Sequence, residues 1–240
     1  MSDGWPTSWL CGKNRLMAYR CEATSLGGFL QQLAVSYIAR GYWFYVTGCI
    51  PERKNPRSVD LKLIDRYGVG ISQWARARRK RAGLANLQYL RLERFFVLLA
   101  THGEHRFFEE EAVSIRDVRR IPIKVGGYSV GFRGGHPSVR IEPGEYKRLK
   151  AYFLDLAVRR SPEAIEAEFL GVRYEPYAPI RAQLLCIHRA VDRVRKTAGF
   201  EPVRACFRFK RRVYRPFGEA LAESRQNAGI LPAQSQKDAD

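Results

Sequence analysis

The sequence predicts an α+β protein, an antiparallel sheet with helices packed on one face. Three observations carry that expectation. Amphipathic helical stripes alternate with short aromatic and β-branched runs, as in Leu26–Arg40 followed by Tyr42–Ile50. Glycine-bracketed alternation between residues 121 and 141 reads as a hairpin. A hydrophobic fraction of 45% and an aromatic fraction of 12% over 240 residues are enough to bury a real core.

Taken in order, residues 1–24 form an N-terminal arm carrying Trp5, Trp9 and Met17. The spacing of Phe29, Leu30, Leu33, Ala34, Tyr37 and Ile38 gives a helix that Gly41 stops. Tyr42–Ile50 lacks alternation, as a strand buried on both faces does. Pro51 and Pro56 bracket a turn, and Ser58 is the expected cap of a helix closed by Gly68. A basic helix spans Ser72–Arg81. Leu84–Arg91 and Arg94–Thr101 read either as two strands joined at Glu93 or as one long bent strand. Phe107–Val113 is an acidic helical turn, and Ile121–Phe132 pairs with Ser138–Ile141. Glu142–Glu145 opens a helix to Arg159 whose apolar face includes Tyr152. Ser161-Pro162-Glu163 starts another helix, Pro179–Thr197 is a longer one, and Pro202–Phe217 is a basic strand or hairpin.

The chain thus divides into the arm (1–24), an α+β core (25–160), C-terminal helices with a basic strand (161–217) and a disordered tail (218–240). The middle of the core runs strand, helix, strand, hairpin, helix, which resembles a ferredoxin-like or RRM-like core.

Charge points to the partner. Lys+Arg number 42 against 24 Asp+Glu, a net charge of +18. Such a field attracts polyanions and disfavours the compact state by self-repulsion, so the expected partner is nucleic acid, DNA or RNA, within a nucleoprotein complex that includes other protein subunits. Arginine outnumbers lysine in the basic runs, which suits bidentate phosphate contacts and stacking on bases. Five cysteines with no CxxC pair point to a reducing compartment, and no run is long and apolar enough to span a bilayer. The expected location is the cytoplasm, away from membranes.

Two basic clusters are candidate nucleic-acid contacts. Arg76, Arg78, Arg79, Lys80 and Arg81 fall within one and a half helical turns. Arg208, Lys210, Arg211, Arg212 and Arg215 alternate with aromatics, which an extended strand would place on opposite faces. His102 and His105 follow an apolar strand, and a turn at Gly103 would let them converge on one divalent ion such as Mg or Mn. Tyr146, near a helix start and beside Lys147, is a candidate nucleophile. His188 sits on a helix face and reads as structural.

The strand ending in Thr47, the later strand ending in paired histidines, and the tyrosine-and-lysine helix resemble the HUH replication initiators and transposases of plasmids and mobile elements. That resemblance implies a metal-dependent endonuclease that nicks single-stranded DNA, with metal on His102 and His105 and a covalent link to Tyr146. In the family one hydrophobic residue separates the histidines; here Gly103-Glu104 does. The glycines of the hairpin, Gly126, Gly127, Gly131, Gly134 and Gly135, resemble those of CRISPR RNA-processing proteins of ferredoxin-like fold.

Overall fold

A computed structural model describes residues 19–207, 209 and 214–217. The arm up to residue 18 and the tail from 218 therefore lie outside the described residues.

Strand β1 (Glu22–Ala23) leads into α1 (Leu26–Gln31), capped by Ser25 Oγ accepting from the Gly28 N–H. The same helix widens into a π turn over Gln32–Tyr37 and tightens into a 3-10 turn over Ile38–Arg40. Gly41 ends it at φ 92°, a left-handed conformation that glycine adopts without a Cβ penalty. Strand β2 (Phe44–Cys49) follows, then α2 (Pro56–Arg66). Its cap is Asn55, not Ser58: Pro56 occupies the first helical position, so the cap falls one residue earlier. Helix α3 (Gln73–Arg81) is capped by Ser72. Strands β3 (Leu87–Leu92) and β4 (Phe95–Ala100) form a tight hairpin with Glu93 at φ 53°, which decides for two strands over one. Helix α4 (Phe107–Glu110) and strand β5 (Arg116–Asp117) complete this half.

These strands make a mixed five-stranded sheet in the order β1-β3-β4-β2-β5. Strand β1 runs parallel to β3, and the other pairings are antiparallel. Strands β2 and β3 are connected through α2 and α3, with β4 inserted between them.

The fold is α+β, but the expected single antiparallel sheet is corrected in two ways. The run 121–141 does not join the main sheet. Its glycine pairs at 126–127 and 134–135 are two separate turns, giving β6 (Ile123–Val125), β7 (Tyr128–Arg133) and β8 (His136–Ile141) as a second, three-stranded antiparallel sheet. The helices also do not share one face. Leu87, Tyr89, Leu98 and Ala100 pack with Ile64, Tyr67 and Phe107 in one buried cluster. Leu90, Val97 and Leu99 pack with Phe29, Leu33, Val130 and Ile141 in another. Phe95–Ala100 is apolar without a break because both faces of its strand are covered.

Helices α5 (Pro143–Arg159), α6 (Pro162–Gly171) and α7 (Ala178–Thr197) belong to the second cluster. Phe153 of α5 stacks on Phe169 of α6 at 3.9 Å. Segment 161–217 therefore shares its core with segment 25–160. Tyr152, expected on the apolar face of α5, is 47% exposed. Phe153 and Ala157 hold the centre of that face, and a neighbouring position points about 100° away. The described residues of 202–207 form no strand.

Two interior cations hold this framework. Arg91 of β3 is buried against Asp60 of α2, with Nε 2.9 Å from Oδ1, and reaches Glu22 at 3.0 Å. The Tyr89 hydroxyl donates to the same Asp60 oxygen at 2.7 Å. Arg195 of α7 forms no ion pair among the described residues; its Nη1 donates to the Ala157 and Arg160 carbonyls at 2.8 and 3.0 Å, at the end of α5. Carbonyls at a helix C-terminus carry partial negative charge and are natural acceptors for a cation. Among the described residues no helix is long and apolar enough to cross a membrane.

Candidate nucleic-acid interface

Helix α3 exposes most of its length and buries none of its residues. Its five cations nevertheless differ. Arg76 is turned into the fold: Nη2 donates to the Val69 carbonyl at 2.7 Å and Nε to the Ile71 carbonyl at 3.3 Å. Asn86 Nδ2 in turn donates to the Arg76 carbonyl at 3.0 Å. Arg79 is half-buried behind His105, and its Nε has no hydrogen-bond partner.

Arg78, Lys80 and Arg81 are exposed and form no ion pair among the described residues. Trp74, at 83% exposure, stands four residues before Arg78 and seven before Arg81. On a helix those spacings put all three on one face. A cationic stripe beside a bare indole can take up phosphates and offers a platform on which a base can stack. The sequence reading found the arginines and missed Trp74. The signal was present, because an apolar residue in a helix otherwise made of polar and small residues has no core to face.

A chain turn fixes α3 in place. Gly83, at φ 73°, ends the helix, and its carbonyl accepts from the Glu104 N–H at 3.0 Å while the Ala85 N–H donates to Glu104 O at 3.0 Å. Gly103, at φ 133°, passes so close that a Cβ there would lie 2.5 Å from the Gly83 carbonyl oxygen. The glycine expected to bend the two histidines together is thus committed to docking the α3 turn.

The two histidines lie in different surroundings. His105 Nδ1 accepts from the Phe107 N–H at 3.0 Å, and the ring also has a hydrogen bond with the Tyr67 backbone. Burial lowers its pKa below 6.5, and the Arg79 and Arg106 charges lower it further. Those two positive charges also repel a divalent cation. His102 is exposed, with its ring 6.4 Å from that of Phe44. Among the described residues no three His, Cys, Asp or Glu side chains come together to hold a metal. The residues do not fit the Mg or Mn ion that the HUH resemblance implies.

Tyr146 lies on the other side of the main sheet. It packs, half-buried, against the cluster around Phe153, whereas His105 contacts Tyr67 of the opposite cluster. Burial raises its pKa, the nearby Cys186 adds to this, and Arg140 opposes it. The three residues that a tyrosyl-DNA mechanism needs in one site are separated by a sheet. His188 is structural: it is buried, with Nε2 2.8 Å from the Val203 carbonyl.

In the second basic cluster, Arg208, Lys210, Arg211 and Arg212 lie outside the described residues, while Arg215 is exposed. Phe207 and Phe209 pack against the core cluster. No family model matches this sequence, and no curated protein matches it either.

Proposed function

We propose that the protein binds nucleic acid through the outward face of α3, with Arg78, Lys80 and Arg81 on backbone phosphates and Trp74 stacked on a base. The observation that carries this is a helix whose exposed cations have no ion-pair partner among the described residues, beside a tryptophan that is 83% exposed. Leaving such a surface unpartnered has a cost in self-repulsion and exposed apolar area, which a polyanion with stacking bases relieves.

A ferredoxin-like core supports the same reading. The segment from β2 to β5 runs strand, helices, two strands, short helix, strand, and its sheet order places β4 between β3 and β2 with β5 beyond. We read this as the ferredoxin-like arrangement, with β1 added at one edge and a four-residue helix in the second crossover.

Fluorescence anisotropy with labelled single-stranded DNA, duplex DNA and hairpin RNA at several salt concentrations tests the proposal. The double variant R78E/R81E should weaken binding by tenfold or more, about 1.4 kcal/mol or above, and flatten the salt dependence by about one unit of slope per lost phosphate contact. Trp74→Ala should weaken single strands by about 1–3 kcal/mol and duplex much less. Unchanged affinity in R78E/R81E would remove α3 as the interface.

A further inference from the structure

A cleft of about 440 Å³ opens where the start of α3 meets the π turn of the first helix and the half of β3 that β1 does not cover. That volume lies within the roughly 300–1,000 Å³ of small-ligand sites. Among the described residues no aspartate or glutamate lines it.

Its chemistry has three parts. Arg40 and Arg76 supply positive charge, and Arg76 is held rigidly by the Val69 and Ile71 carbonyls, with no carboxylate to neutralise it. Tyr37 and Tyr42 supply aromatic surface, their rings 5.9 Å apart and tilted at 55°. Gln73 and Ser36 supply polar groups that form no side-chain hydrogen bond among the described residues.

The wall is also built unusually. Ser36 and Tyr37 come from the π turn, Gln32–Tyr37, where the helix is wider than an α-helix and packs less well along its axis. Such turns are rare and concentrate at functional sites. Opposite, Gln88 Oε1 lies 2.9 Å from the Tyr19 hydroxyl, while its Nε2 donates to the Tyr42 hydroxyl at 3.4 Å. A cleft with two arginines, paired tyrosines and one uncommitted amide, and without a carboxylate among the described residues, matches a phosphate joined to a planar heterocycle.

We propose that this cleft holds one unpaired nucleotide of a bound strand, its phosphate on Arg40 and Arg76 and its base against the Tyr37–Tyr42 pair and the Gln73 amide. The inference rests on the nucleic-acid reading above and extends it. Gln73 and Arg76 belong to the same helix as Trp74, Arg78 and Arg81, so a strand lying along α3 would deliver a nucleotide to the cleft.

The experiment compares the wild type with R40A/Q73A and R78E/R81E. Each is titrated with free AMP and UMP by calorimetry, and with a short single strand and a blunt duplex by anisotropy. For R40A/Q73A, we expect nucleotide and single-strand affinity to fall by about tenfold while duplex affinity stays within about twofold. R78E/R81E should lose duplex affinity and keep the free nucleotide. A wild type that binds the strands while R40A/Q73A leaves both nucleotide and single-strand affinity unchanged overturns the cleft and spares the α3 interface. Duplex and strand binding that R78E/R81E leaves intact overturns the α3 interface instead. A circular single strand distinguishes the two sources of the nucleotide: binding equal to the linear strand assigns it to an extruded base, and weaker binding to a strand terminus.

Discussion

Helices α3 and α7 are both rich in arginine and use it in opposite ways. In α7, Arg195 is buried and donates to carbonyls at the end of α5, so its charge ties those two helices together. In α3, Arg78 and Arg81 are exposed and satisfy nothing in the fold. Arg91 of β3 sides with Arg195, deep in the structure against Asp60. The net charge of +18 treats all of these alike. What distinguishes an arginine available to a partner from one already in use is whether its donors have acceptors within the fold.

The sharpest way to break that contrast is Asp60→Ala, which strands Arg91 among apolar neighbours with only Glu22 and a carbonyl left. The expected loss is about 3–5 kcal/mol in urea unfolding, and a loss below about 1 kcal/mol would mean Arg91 does not depend on Asp60. Arg195→Met keeps the bulk and removes the donors, so about 1.5–3 kcal/mol should be lost with nucleic-acid affinity unchanged. A fall in affinity without a fall in stability would place Arg195 in the wrong group.

A smaller effect comes from His105, which lies within the field of Arg79 of α3. Its folded pKa is depressed below 6.5, so the unfolded chain binds its proton more readily. The resulting stability is present above pH 6.5 and is lost as pH falls through the folded value. The depressed carboxylates Glu110, Glu142 and Asp117 add their own losses only at more acid pH, below ordinary values of 4.5 and 3.8. The slope of stability between neutral pH and the carboxylate range should flatten in His105→Asn, measured as urea midpoints across that window. The smallest effect is the most telling: R78E/R81E should change stability by no more than about 0.5 kcal/mol while affecting binding most.

Local signals in the sequence were legible where one residue type settles a backbone question. Ser161 caps a helix and Gly41 ends one, both as read, while Ser72, read as the first helical residue of α3, is its cap. Long-range pairing was less legible. Nothing in the alternation of 121–141 tells which sheet it joins, and two-residue strands such as β1 and β5 are too short to carry any period. The basic helix was evident from composition, but the inward turn of Arg76 depends on the Val69 and Ile71 carbonyls, whose positions only the folded chain sets. The histidine pair misled because its spacing is local while its hydrogen-bond partners, at Tyr67 and Phe107, belong to tertiary structure.

Tyr19 has a consequence for solubility. Beyond the two residues that β1 covers, β3 would present a bare edge, and the Tyr19 hydroxyl takes both exposed backbone groups of Tyr89, accepting from its N–H at 2.9 Å and donating to its carbonyl at 2.8 Å. One phenol thus imitates the hydrogen bonding of a neighbouring strand without offering an edge of its own. An unpaired strand edge is a template on which further chains can add. Here a single side chain closes that template, so the sheet ends without inviting another copy to extend it.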